Sequence, residues 1–140
     1  MPLELALRLL AAVAFLAVVL AIAVVTRNRA AARRRRALAA PAHADLATGR
    51  PTILYFHGDH CADCVAQERE LDALLSARPE VAIRADHAPG ALSARFGVLM
   101  VPTTVILDGA GRARAVNYGL ARRATLEKQL GLVDELAASA

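Results

Sequence analysis

The chain has no tryptophan, and aromatic residues make up only 4% of its 140 positions. A nucleic-acid surface needs exposed aromatics for base stacking, interleaved with basic residues on a folded domain. That class is set aside despite the formal charge of +4. Only two cysteines are present, Cys61 and Cys64. Acidic residues are nearly missing from the first 44 positions, where Glu4 stands against seven arginines: Arg8, Arg27, Arg29, Arg33, Arg34, Arg35 and Arg36. The positions from 45 onward hold ten basic and twelve acidic groups. The positive charge therefore belongs to the N-terminal segment and not to the part able to form a core. That part has room for one domain of ordinary size.

The longest feature present is an apolar run. Leu9 to Val25, LLAAVAFLAVVLAIAVV, holds 17 uncharged apolar residues. As a helix it covers roughly 26 Å of a hydrocarbon core about 30 Å thick, and Thr26 with a snorkelling Arg8 supplies the missing turn. Ala21-Ile22-Ala23 resembles a small-residue cleavage site, but the run is long for a signal peptide and its leading flank has only Arg8, offset by Glu4. An uncleaved transmembrane anchor is expected. Six arginines fall within ten positions after Thr26 and one precedes the span. Cationic flanks tend to stay cytoplasmic, so the expectation is a single-pass protein of the plasma (inner) membrane with its domain on the cytoplasmic face, the extracytoplasmic face being the alternative. Arg33 to Arg36 read as a stop-transfer signal and an anionic-lipid contact.

The chain then divides into a short N-terminus (1–8), an anchor (9–26), a basic and Ala-rich tether (27–50) that is partly helical, and a folded domain (51–140). Thr52 to Phe56 is a short apolar, β-rich run suited to a strand buried on both faces. From Cys61 to Ser76 the pattern turns helical, with Val65, Leu71, Leu74 and Leu75 near one stripe, and Pro79 ends it. Val81 to Ala85 is a second strand, Gly90 to Phe96 a short helix and Thr103 to Leu107 a third strand. The turn DGAGR leads into a return strand from about Arg112 to Val116. Thr125 to about Ala137 closes the chain as an amphipathic helix carrying Leu126, Leu130, Leu132, Val133 and Leu136. The sum is an α/β layer whose last two strands are antiparallel.

Three uses of Cys61 and Cys64 are open. As a structural staple the pair would close so small a loop that little unfolded-state entropy is removed. As a metal site it has only His57 and His60 as further local ligands and no second cysteine pair, whereas structural zinc takes four ligands. As a redox pair the spacing is explained. A cysteine at a helix N-terminus has its thiolate favoured by unpaired N–H groups and the helix dipole, and a second cysteine three residues on can close a disulfide with it. A strand, a short loop and then Cys-x-x-Cys opening a helix is the context in which this motif signals redox chemistry.

From about Pro51 to Gly131 the chain resembles the thioredoxin family. The matching features come in order: a strand before CADC, Asp86 at a strand end, Phe96-Gly97-Val98, Val101-Pro102-Thr103, the DGAGR hairpin and Gly119 before the last helix. The resemblance implies a thioredoxin-like fold, a mixed sheet flanked by helices; the chain departs from it in that its N-terminal elements are expected to be shortened or replaced by the Ala-rich tether. It implies that Cys61 is the attacking cysteine and Cys64 the resolving one, with Val101-Pro102 a cis peptide bond facing them and pairing with an extended substrate segment. Protein disulfides or dithiols and a thiol electron donor are the implied partners, beside the lipid bilayer, with no cofactor and no metal.

The chain also departs from that pattern. The family's buried acid six residues before the first cysteine falls on Tyr55, and its lysine neighbour on Ala82. His60 replaces the usual tryptophan, and Ala62-Asp63 the usual Gly-Pro. Asp63 disfavours a nearby thiolate while a protonated His60 favours it, so these two residues tune the pair in opposite directions. The expected activity is that of a membrane-tethered thiol-disulfide oxidoreductase, with reduction favoured in a reducing compartment. The rival expectation is a binding module that holds a metal or a partner through His57, His60, Cys61 and Cys64.

Overall fold

The computed structural model describes residues 2–139, so Met1 and Ala140 lie outside the described residues. The chain divides into two units, one ending at Arg35 and the other beginning at Arg36. Helix α1 runs from Pro2 to Ala39, 38 residues. Every side chain from Leu3 to Arg36 is exposed, although an 18-residue window of the helix reaches a mean hydropathy of 3.0. A helix this long and apolar on all sides is able to cross a membrane. The tether expected over 27–50 is thus helical through Ala39.

The second unit is built on a four-stranded sheet in the order β2-β1-β3-β4. Its strands are β1 (Thr52–His57), β2 (Ala82–His87), β3 (Thr103–Leu107) and β4 (Ala113–Tyr118). Strand β1 pairs parallel with β2 and antiparallel with β3, and β3 pairs antiparallel with β4. The parallel pair needs a crossover, supplied by α2 (Ala62–Ala77). The β3–β4 pair needs only the tight turn at DGAGR. There Asp108 accepts hydrogen bonds from the N–H groups of Ala110 at 3.0 Å and Arg112 at 2.9 Å, and from Arg114 Nε at 2.8 Å. Helices α3 (Ala91–Arg95) and α4 (Arg123–Ala138) complete the unit.

Side chains alternate across a strand, and β1 divides its own between two cores. Ile53 and Tyr55 join Cys64, Leu71, Leu74, Ile106, Leu126, Leu130 and Val133 beneath α2 and α4. Leu54 and Phe56 join Val105, Leu107, Val116, Leu92 and Phe96 on the opposite face. That second face is completed by Ala37, in the last turn of α1, and by Leu46, in a 3-10 turn over Ala44–Leu46. Residues 36–50, expected within the tether, therefore pack against the sheet. Backbone hydrogen bonds from His43 N–H to Gly111 O at 3.1 Å and from Gly49 N–H to Gly109 O at 3.0 Å fasten them to the hairpin turn. Gly111 has φ +78°, and a Cβ there would collide with the His43 carbonyl oxygen, so only glycine fits.

Two helical stripes differ from expectation. On α2 the buried positions are Cys64, Gln67, Leu71 and Leu74, while Val65 is 52% exposed. On α4 they are Leu126, Leu130 and Val133, while Leu132 and Leu136 face outward.

Candidate active site

The sheet register decides where the site lies. Phe56 pairs with both Asp86 and Thr103, and Thr103 with Tyr118. The C-terminal ends of β1, β2 and β4 and the start of β3 thus meet at one edge. Gly58, just after β1, allows the close approach there. A Cβ on it would stand 3.1 Å from Val101 Cγ2 and 3.5 Å from the Ala88 carbonyl oxygen, so the three loops after β1, after β2 and before β3 touch at this residue.

Cys61 is the N-cap of α2, and its sulfur accepts a hydrogen bond from the Cys64 N–H at 3.1 Å. The same N–H also donates to the Cys61 carbonyl oxygen at 3.1 Å, so the sulfur shares a first-turn donor with the backbone. The same donor and the helix dipole favour negative charge on that sulfur once the pair is reduced. The two cysteines are joined as a disulfide with Cα atoms 5.2 Å apart. Cys61 remains partly exposed, whereas Cys64 is 4% exposed within the α2–α4 core. The Val101–Pro102 peptide bond is cis, and so is Ala88–Pro89. Val101 packs on the same core cluster as Cys61, Pro102 is buried, and the Pro102 carbonyl accepts from Gly119 N–H at 2.8 Å. Leu99 and Met100, which lead into Val101, are exposed.

The remaining predicted site residues are arranged differently from one another. His60 directly precedes Cys61 with φ +53° and an exposed side chain. Asp63 is exposed in the first turn of α2. His57 stands at the end of β1, its ring 5.6 Å from that of Tyr55 and 5.5 Å from that of His87 in an edge-on contact. His87 Nε2 in turn lies 3.4 Å from Asp59 Oδ1. Among the described residues no three His, Cys, Asp or Glu side chains form a group able to hold a metal ion. The set His57, His60, Cys61 and Cys64 is therefore not assembled as a cage.

Two residues at the site carried no functional signal in the sequence reading. Tyr55, noted there only as a replaced acid, donates from its hydroxyl toward the Cys64 carbonyl at 3.1 Å and toward Glu68 Oε1 at 3.3 Å. Burial first, and then the charge and hydrogen bond of Glu68, push the phenol up to about 12. Glu68 looks from its spacing like one more charge on a solvated helix face, and only the reach of Tyr55 across from β1 distinguishes it.

Comparison with solved structures places the fold in the thioredoxin-like class. A thioredoxin-like protein from Clostridium perfringens matches with a TM-score of 0.55 at 30% identity, over 61% of this chain and 72% of that one. Thioredoxin-2 of a malaria parasite matches with a TM-score of 0.53 at 20% identity, over 61% and 82%. DsbF of MTB, solved in mixed oxidised and reduced forms, matches with a TM-score of 0.54 at 18% identity, over 61% and 81%. No protein-family model and no curated protein matches the chain. The chain belongs to the thioredoxin-like family. Its fold and its closed cysteine pair support a redox function of the thiol-disulfide oxidoreductase kind.

Proposed function

We propose that the chain is a membrane-tethered thiol-disulfide oxidoreductase that reduces protein disulfides on the cytoplasmic face of the plasma (inner) membrane. The observation that carries the reading is the inequality of the two thiols: Cys61 caps α2 at the surface and Cys64 is buried one turn deeper. Cys61, as thiolate, attacks a substrate disulfide, and one substrate sulfur leaves with the electron pair of the broken bond. Cys64 then attacks Cys61, releasing the second substrate thiolate and closing the Cys61–Cys64 disulfide. Two electrons have passed to the substrate, and a thiol donor returns them to the pair. The Val101 backbone pairs with an extended substrate segment, and exposed Leu99 and Met100 beside it offer apolar contact. Helix α1 serves as the anchor, with 9–26 in the bilayer.

The reading is tested by covalent trapping in membranes expressing the full chain, resolved on a non-reducing gel. Cys64→Ser should accumulate substrate proteins as adducts that a reductant releases, and Cys61→Ser should trap almost none. Equal yields from both variants, or adducts from Cys61→Ser alone, would overturn Cys61 as the nucleophile. A metal-binding role would instead make the two substitutions equivalent, each lowering metal content.

A further inference from the structure

Strand β2 ends the sheet, so one row of its backbone groups has no partner strand. The bonds on its inner side identify that row. Ala82 N–H donates to the Pro51 carbonyl at 3.0 Å and Ala88 N–H to the His57 carbonyl at 2.8 Å. Backbone groups alternate in direction along a strand. Ala82, Arg84, Asp86 and Ala88 therefore bond inward to β1, and Ile83, Ala85 and His87 turn their N–H and C=O groups to the open edge. Arg84, Ala85 and His87 are exposed there and Ile83 is half-buried. Such a row is a template for another strand, and natural edges are commonly blunted by charge. The charges on β2 are of opposite sign and two residues apart. Arg84 and Asp86 pair across to Leu54 and Phe56 of β1, which puts both on that sheet face. Among the described residues, neither takes part in an ion pair within the chain.

We infer that β2 pairs antiparallel with β2 of a second copy of this chain, about a two-fold axis that passes beside Ala85 and normal to the sheet. In that register Ala85 stands opposite its own counterpart and Ile83 opposite His87, and each pair exchanges two backbone hydrogen bonds from the open row. Arg84 stands opposite Asp86 of the second copy, and Asp86 opposite its Arg84. These are the non-hydrogen-bonded positions, where side chains come closest and opposite charges attract. Centring the pairing on Arg84 or on Asp86 instead would set like charges against each other and turn the committed row outward, so the sequence selects one register. The contact is isologous and closed, giving dimers and not fibres. Rotation about an axis normal to the sheet keeps the same face up in both copies. Ala37 and Leu46 pack on one face in each, so both chains reach the joined sheet from one side, as two anchors in one bilayer require. The two Cys61 sites point in opposite directions along the joined strands, and neither covers the other. A strand pair of this length is a small interface, and confinement of both copies to one bilayer raises their effective concentration.

The test is cross-linking of the full chain in membranes, in a Cys61→Ser/Cys64→Ser background that leaves one introduced thiol. A hydrogen-bonded antiparallel pair has Cα atoms about 5.5 Å apart, within the span of a disulfide. Mild oxidation of Ala85→Cys should therefore give a dimer band on a non-reducing gel. Its yield should be several-fold above that of Ala110→Cys, an exposed position in the turn between β3 and β4. Adding Arg84→Glu to Ala85→Cys should lower the dimer about tenfold, since two cross-strand attractions become two repulsions. Adding Asp86→Arg should do the same, and the two exchanges together should restore the yield. The single exchanges change the charge beside the thiol in opposite directions, so a shared loss reports pairing and not thiol reactivity. Equal dimer from Ala85→Cys and Ala110→Cys, single exchanges without effect, or no recovery in the double exchange would each overturn the pairing. Capture of Ala85→Cys on a different protein in place of its own copy would assign the edge to another strand and overturn the second copy as its occupant.

Discussion

Gln67 holds the backbone of Ala121 by both edges of its amide, Nε2 donating to the carbonyl oxygen at 3.0 Å and Oε1 accepting the N–H at 2.7 Å. The side chain is fully buried, and the contact ties α2 to the turn that leads into α4. Gln67→Ala would leave two buried backbone groups unpaired and open a cavity. A loss of about 2–4 kcal/mol is expected. Urea denaturation of the detergent-solubilised chain should show a lower midpoint with an unchanged slope. An unchanged midpoint would show that the Ala121 backbone finds other partners.

The same contact explains why the α2 stripe was only half legible. Hydrophobicity alone selects Val65, Leu71, Leu74 and Leu75, but the helix is rotated so that Cys64 and Gln67 face the core. What fixes the rotation is a backbone 54 residues away that needs a partner, which no periodicity reports. On α4 the apolar surplus hid the true stripe, since Leu132 and Leu136 look as buried as Leu130 and Val133. The strands were read more easily because β1 and β3 are short runs of β-branched, aromatic and aliphatic residues, buried at nearly every position. Cys61 and Cys64 were legible from spacing and context together. Tyr55–Glu68 was not, since it joins a strand to a helix face across 13 positions. The docking of 36–50 was hidden for a different reason. It depends on small or isolated apolar residues, Ala37 and Leu46, on backbone hydrogen bonds, and on one ion pair.

That ion pair sets a pH dependence. Asp45 accepts from Arg95 Nη1 at 2.8 Å and Nη2 at 2.9 Å, and the hydrogen bonds to this guanidinium hold its carboxyl down to about 2, from an ordinary 3.8. A carboxyl lowered on folding stabilises the folded state above its unfolded value and loses that contribution as pH falls through its folded value. The difference in denaturation midpoint between wild type and Asp45→Asn should therefore be constant above pH 3.8 and vanish toward pH 2. Both partners are well exposed, so the difference should also shrink with added salt. A difference that persists unchanged at pH 2 would assign the effect of Asp45→Asn to something other than its charge.

The proposed orientation of the chain in a membrane rests on the charge flanking the apolar span. Arg27, Arg29, Arg33, Arg34, Arg35 and Arg36 follow the apolar span, and Arg8 alone precedes it. Because arginine-rich flanks are retained on the cytoplasmic side during insertion, a reporter fused after Ala140 should behave as cytoplasmic. Replacing the six following arginines with glutamine while adding three lysines before Leu9 should reverse it, since the bias then lies on the other flank. On the proposed cytoplasmic topology, reversal would also carry Cys61 and Cys64 out of the reducing compartment. The pair in the reversed chain should then be recovered mostly as the disulfide, and in the native orientation mostly as free thiols, when membranes are quenched with an alkylating agent. Strong activity of an export-dependent reporter on the unaltered chain would place the domain outside the cytoplasm. Reduction of its substrates would then require electrons passed across the membrane by another component.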